Sequence, residues 1–173
     1  MTENQHSTKK TGMMFIIAGW ILAFLVLGLF FSNLLDDKYN PNRSAATSTA
    51  ADYQEIILRR NPYGHYIFDG EINHKSVTFL VDTGATMTAI PAQLNDYLGL
   101  EFGPSFTVMT ANGPATAYAT RLNQLKLGDI GLEDVRASLN PGMMGQEILL
   151  GMNVLRHMEL IQRADTLTIR RYF

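Results

Sequence analysis

The chain has 173 residues, a hydrophobic fraction of 46% and a formal net charge of -2, so it fits one modest domain with additions, and no basic surplus points to nucleic acid. It contains no cysteine, which excludes disulfide frameworks, thiolate metal sites and cysteine nucleophiles together and leaves the redox compartment open. The four histidines, His6, His65, His74 and His157, show no pair at the helical spacing that would aim two imidazoles at one ion, so neither a metal nor any other cofactor is expected.

In chain order, a short polar tail, 1–12, precedes MMFIIAGWILAFLVLGLFF, an uncharged run from Met13 to Phe31. As a helix that run covers about 30 Å, the thickness of a bilayer's hydrocarbon core. A cleaved signal peptide is the competing reading, but its apolar region is usually only about 7 to 15 residues long and ends in a small-x-small site. This run is longer and continues into Phe30-Phe31-Ser32-Asn33-Leu34-Leu35, which favours an uncleaved transmembrane anchor over 13–35. Lys9 and Lys10 precede it while Asp36 and Asp37 follow, so the N-terminus is expected in the cytoplasm and the body of the chain outside it, on the periplasmic side of the inner membrane if the source is bacterial. Next comes DDKYNPNRSAATSTAAD, with little to bury, which reads as a flexible linker over 36–52.

The remaining segment, 53–173, is one domain's worth of chain without an obvious internal duplication. Its patterns are short and mostly of period two: YIFDGEI, SVTFLV, FTVMT, TAYATRL and DTLTIRRY, bounded by Gly, Asn, Asp or Pro. A β-rich fold is therefore expected. Two short helices interrupt it: Pro91 to Leu98, with Gly99 just past its end, and a second after Gly151, from Met152 to His157.

In SVTFLVDTGAT the apolar residues Val77, Phe79, Leu80 and Val81 bury a strand, and Asp82 falls where it ends. Burying an ionised acid is costly unless hydrogen bonds or a shared proton offset it. Thr83 offers a hydroxyl beside the acid, and Gly84 lets other groups approach closely. An ordinary Asp-initiated turn explains the triplet equally well when it is taken alone. Context favours chemistry, because a second apolar run, Ile148-Leu149-Leu150, ends in Gly151 just before a short helix.

With these elements in place, the sequence resembles the retropepsin-like aspartic proteases. FLVDTGAT supplies their apolar-apolar-Asp-Thr-Gly-Ala element, MTANGPAT a flap hairpin with Asn112-Gly113 at its tip, and ILLG the later apolar-apolar-Gly element. The wording GHYIFDGEINHKSVTFLVDTGAT and LLGMNVL looks closer to the bacterial, membrane-anchored branch than to the viral one, and the resemblance covers about Gly64 to Phe173. It implies a mostly β, retropepsin-like acid protease barrel, half of a pepsin-type fold, with one or two short helices and a preceding transmembrane helix.

In function, the resemblance implies an aspartic endopeptidase acting on peptide or protein substrates, with Asp82 as the catalytic residue. Two aspartates flank one water and share one proton, since like charges about 3 Å apart cannot both ionise. Asp69, Asp96, Asp129 and Asp165 all lack the triplet, so the second Asp82 is expected from a partner chain in a homodimer. Thr83 would bond across the dimer axis, Gly84 would receive the substrate backbone and Ala85 would pack behind. Thr110, Ala111, Asn112 and Gly113 would form the flap, although an ordinary Asn-Gly hairpin is an open alternative. Leu149, Leu150 and Gly151 would support the substrate cleft. Viral enzymes carry an acidic residue and an Arg where this chain has Thr86 and Met152, so that buried pair is absent as a unit. The tether replaces the N-terminal strand of the viral dimer sheet, which leaves the C-terminal DTLTIRRYF as the expected interface element. The alternative function is a non-catalytic peptide- or partner-binding module of the same fold at the cell envelope.

Overall fold

The computed structural model describes residues 4–110 and 113–173, and the chain divides into two compact units, Met1–Lys38 and Tyr39–Phe173. In the first, α1 (Asn4–Tyr39) exposes its apolar side chains all round; Trp20, Phe24 and Leu29 are each more than 60% accessible. Among the described residues one helix is thus long and apolar enough to cross a membrane, over Gly12–Tyr39.

The second unit is mostly β. Its first sheet has four strands in the order β1 (Ala46–Thr49), β2 (Tyr53–Arg59), β11 (Thr166–Tyr172) and β10 (Glu159–Arg163). Its second sheet contains β3 (Ile67–Ile72), β4 (Lys75–Val81), β9 (Ile148–Leu150), β5 (Thr88–Pro91), β8 (Ile130–Asn140), β7 (Gly113–Leu127) and β6 (Ser105–Thr110), in that spatial order. An additional β3–β7 pairing through Ile72 and Leu125 closes the sheet on itself, leaving β6 to project as one arm of a hairpin.

The β3–β4 connection shows how local chemistry sets register. Asn73 and His74 have φ values of 49° and 63°, the left-handed pair that a two-residue hairpin turn of the right twist needs, and Asn tolerates that region well. Asn73 then donates from Nδ2 to the Leu98 carbonyl and accepts from the Gln124 N–H, fixing the hairpin to two neighbours. Alternation along β4 buries Val77 and Phe79, and Phe79 packs against Phe68 with ring centroids 5.5 Å apart. Around them Leu122, Leu125, Ile130, Ile148 and Leu150 are fully buried, so the core lies inside the closed sheet.

The expected helices form with small shifts. Pro91 ends β5, a 3-10 turn covers Ala92–Leu94, and α2 (Asn95–Leu98) stops at Gly99, whose φ of 65° provides the left-handed cap. After Gly151, α3 covers Met152–Leu155 rather than reaching His157.

Two expectations differ from the structure. The segment read as a flexible linker, 36–52, is ordered chain: the second unit begins at Tyr39, and β1 pairs with β2 from Ala46↔Ile57 to Thr49↔Gln54. Hydrogen bonding, not apolar burial, holds it. Asn42 is 3% exposed, donates from Nδ2 to the carbonyls of Arg59 and Ile67, and accepts from the Arg59 N–H, while Asn40 donates to Asp69 Oδ1 at 2.8 Å. The C-terminal strand also differs: β11 has β2 on one side and β10 on the other, so neither hydrogen-bonding edge is free for a partner chain. Its Arg170 ties the three strands together, pairing with Glu55 at 2.9 Å and Glu159 at 3.2 Å and lying 4.3 Å over the Tyr53 ring.

Candidate active site

Two strand ends build the site. β4 and β9 run parallel, with Val81 opposite Leu150, and each leaves the sheet at a small-residue turn. Asp82 is the first residue after β4, half-buried, and its N–H donates to the Leu150 carbonyl at 3.1 Å. Its Oδ1 accepts the Gly84 N–H at 2.8 Å, a bond that orients the carboxylate. The Asp82 carbonyl accepts the Ala85 N–H at 3.2 Å, which closes the turn. A Cβ at Gly84 would stand 3.1 Å from Asp82 Oδ1, so glycine leaves room at that carboxylate oxygen.

The two loops are laced together. Met152 donates its N–H to the Ala85 carbonyl at 2.8 Å, and Asn153 donates its own to the Thr86 carbonyl at 3.0 Å. Gly151 is fitted against the chain beyond Asp82: a Cβ there would lie 2.5 Å from the Met87 carbonyl carbon and 2.8 Å from the Thr88 nitrogen. Asp82, Thr83, Gly84 and Ala85 are therefore brought together with Leu149, Leu150 and Gly151 by backbone contacts. Of these, Leu150 and Gly151 are buried and act as framework, while Thr83 and Gly84 are exposed. Among the described residues no group in the same chain bonds the Thr83 hydroxyl.

Thr110 and Gly113 close the β6–β7 hairpin, with the Thr110 hydroxyl donating to the Gly113 carbonyl at 2.8 Å and Gly113 at a φ of 102°. Ala111 and Asn112, expected at the flap, lie outside the described residues.

The sequence reading missed Thr88 and Asn153. Thr88 is fully buried, and both its N–H and its hydroxyl donate to Asn153 Oδ1, at 2.7 and 3.1 Å. Asn153 Nδ2 donates to the Arg136 carbonyl at 2.7 Å, joining β8 to both loops. The available signal was a polar Asn inside the otherwise apolar run Ile148 to Leu155. The loops are thus joined by neutral hydrogen bonds, with no ion pair between them among the described residues. A cavity of about 840 Å³ adjoins this region: Met87 lies in its wall and Asp82 does not.

Comparison with known proteins agrees with this architecture. Residues 68–157 match the family model described as "gag-polyprotein putative aspartyl protease". The crystal structure of a retropepsin-like aspartic protease from Rickettsia conorii is 26% identical, with a TM-score of 0.58 over 75% of this chain and 96% of that one. An uncharacterized protein in the cobV 5′ region of Sinorhizobium sp is 29% identical over 90% of this chain and 67% of its own length. An uncharacterized protein of Rickettsia prowazekii (strain Madrid E) is 28% identical over 91% and 71%. The chain belongs to the retropepsin-like aspartic protease family.

Proposed function

We propose that the protein is a membrane-anchored, homodimeric aspartic endopeptidase in which Asp82 and the partner's copy of the same residue activate one water. The observation that carries this reading is the placement of Asp82: a carboxylate at the end of a buried strand, oriented by the Gly84 N–H and joined through Leu150 to the second loop. A structural turn aspartate would need neither the exposed Thr83-Gly84 beside it nor the second loop beneath it.

One carboxylate cannot act as base and acid in the same step. The other aspartates of 53–173 have their own engagements or positions, and Asp52 lies in the turn between β1 and β2. Asp69 accepts from Asn40 and Thr78, Asp96 accepts from Asn95, Asp134 pairs with Arg121, Asp165 with Arg60, and Asp129 sits in the β7–β8 turn. A second Asp82 across a two-fold axis supplies the missing group. In that dyad the ionised carboxylate takes a proton from the water, whose oxygen attacks the scissile carbonyl carbon, and the protonated partner donates to the carbonyl oxygen. Collapse of the tetrahedral intermediate breaks the C–N bond and returns a proton to the leaving amine. Thr83 would bond its counterpart across the axis, and the hairpin ending at Thr110 and Gly113 would cover the peptide and exclude water. The anchor reading places the N-terminus in the cytoplasm and the protease unit outside it.

The test is a peptide-library digest by the wild-type chain beside Asp82→Asn. Cleavage favouring mildly acidic conditions, surviving chelators and lost in the variant supports the proposal. Turnover unchanged in Asp82→Asn overturns it.

A further inference from the structure

The cavity of about 840 Å³ has an unusual charge arrangement. It lies between the irregular segment after α2, which contributes Glu101 and Phe102, and the paired strands β7 and β8, which contribute Arg121 and Arg136; Phe106 on β6 and Met87 complete the part that matters here. Arg121 and Arg136 stand directly opposite each other in the antiparallel β7–β8 register. Like charges at such a position repel and are destabilising unless something neutralises them. Asp134, two residues along β8, forms an ion pair with Arg121. Arg136 has no carboxylate within ion-pair distance among the described residues, and Glu101, which also lines the cavity, forms an ion pair with neither arginine.

We infer that this cavity receives an acidic side chain of the bound peptide and that Arg136 selects it. The inference rests on the protease reading and names its substrate class. Three observations carry it. The cavity meets the active-site loop at Met87, whose carbonyl packs beneath Gly151. The strand bearing Arg136 is fixed to both active-site loops, because the Arg136 carbonyl accepts from Asn153 Nδ2 while Asn153 Oδ1 holds Thr88. Arg121 is already paired with Asp134, while the exposed guanidinium of Arg136 has no carboxylate partner among the described residues, so it is open to an incoming carboxylate, and a planar fork can hold both carboxylate oxygens at once. Phe106 and Met87 offer apolar contact to the methylene stem of such a side chain. Glu101 stands on irregular chain rather than on a paired strand, so it is the less fixed of the two unpaired charges.

The experiment uses the full chain in detergent micelles and a peptide series identical except for Glu, Gln or Lys placed at one position at a time around the scissile bond. At one position Glu should exceed Gln in kcat/KM by about fivefold to tenfold, the scale of a partly solvated charge-assisted contact. Arg136→Gln should abolish that ratio, Arg136→Lys should keep part of it, and Arg136→Glu should turn it toward Lys. A wild-type enzyme indifferent to Glu at every position overturns the inference, as does a Glu preference that survives Arg136→Gln. Lys preferred by the wild type and lost in Glu101→Gln would give the selecting role to Glu101 and likewise overturn it. The activity reading fails separately, if no peptide is cleaved or Asp82→Asn cleaves as well as wild type. The inference is then read from fluorescence anisotropy of the labelled Glu and Gln peptides on the same chain: tighter binding of the Glu peptide that Arg136→Gln removes supports it, and equal or absent binding overturns it.

Discussion

Asn153 Oδ1 accepts both the N–H and the hydroxyl of Thr88, at 2.7 and 3.1 Å, and so ties the start of β5 to the turn after Gly151. The bonds lie where charge-assisted pairing is absent, and Thr88 is fully buried. Removing the amide would strand the buried Thr88 N–H and hydroxyl, while the Arg136 carbonyl, at an exposed bond, can turn to water. Asn153→Ala is expected to cost about 2 to 4 kcal/mol of unfolding free energy, because unsatisfied buried groups lose their full desolvation penalty. Thr88→Val, which spares the N–H bond, should cost about half as much. Urea unfolding of both variants and of the double variant checks this, and the two effects should fall well short of additive.

Gly151 offers a sharper case. A Cβ there would lie 2.5 Å from one backbone carbon, 2.7 Å from an oxygen and 2.8 Å from a nitrogen of the Met87–Thr88 peptide, and backbone cannot swing aside as a flexible side chain can. Gly151→Ala should therefore push the two loops apart, lower the thermal midpoint by several degrees and abolish cleavage. The same change at Gly131, where nothing lies within 4 Å, should leave the unfolding free energy within about 0.5 kcal/mol of wild type, as ordinary surface substitutions do. Calorimetry of the pair separates a packing effect from a general loss of glycine.

The elements carrying the site were the most legible ones. β4 and β9 are apolar runs that stop at Asp82 and Gly151, and such runs advertise both burial and the point where it ends. Pro91 and Gly99 bracket their helix for steric reasons that hold in any fold. The pairing of Thr88 with Asn153 was hidden because it joins residues far apart in the chain: Asn153 stands out in its apolar run, but nothing local says which group it satisfies. β1 was hidden for another reason. Its ATST is wholly exposed, and what orders it is the buried hydrogen bonding of Asn40 and Asn42, residues whose polarity reads as linker. The length of β7 was also underestimated, since its first residues, 113 to 116, belong to the projecting hairpin arm and none of them is buried, the first core contact being Ala117.

The ordered 39–52 segment predicts where the folded unit can be cut. Removing Asn42 leaves the Arg59 N–H and the carbonyls of Arg59 and Ile67 without their bonds, and removing β1 bares the edge of β2. At about 1 kcal/mol for each lost bond, a chain starting at Tyr53 should be at least 3 kcal/mol less stable than one starting at Tyr39, and more prone to edge-to-edge aggregation. Urea midpoints and light scattering of the two chains decide the matter. Equal stability would mean that Asn42 contributes nothing net.

Orientation can be read independently of activity. With Lys9 and Lys10 before the apolar helix and Asp36 and Asp37 after it, a reporter fused after Phe173 should show an extracytoplasmic location. Exchanging the two charge pairs should weaken or reverse that readout. A cytoplasmic signal from the unaltered fusion would invert the assignment.

Dependence on association is the outcome expected from the single Asp-Thr-Gly and from the exposed Thr83, whose hydroxyl has no partner among the described residues. If the working site needs two copies of Asp82, an excess of Asp82→Asn chains should poison wild-type chains by forming mixed dimers with half a dyad. At a threefold excess with free exchange, about one wild-type chain in four would still meet another, so activity per wild-type chain should fall about fourfold, by mass action. Subunits tethered in one membrane are held at high local concentration, so the Tyr39–Phe173 unit released from its helix is the form in which dilution should lower specific activity. Thr83→Ala should move that dilution curve to higher concentration, since its hydroxyl would otherwise bridge the two active-site loops across the axis. The fold adds a constraint on what else the dimer can use: β11 is paired on both edges, so a dimer that extends the four-stranded sheet must do so through β1 or β10, its two outer strands. Proline substitutions at Ser48 and at Ile161 would distinguish those two edges by which one shifts the curve. Specific activity that stays constant down to concentrations where sedimentation shows only monomer would require a second acid within the same chain, and would remove the dimer from the mechanism.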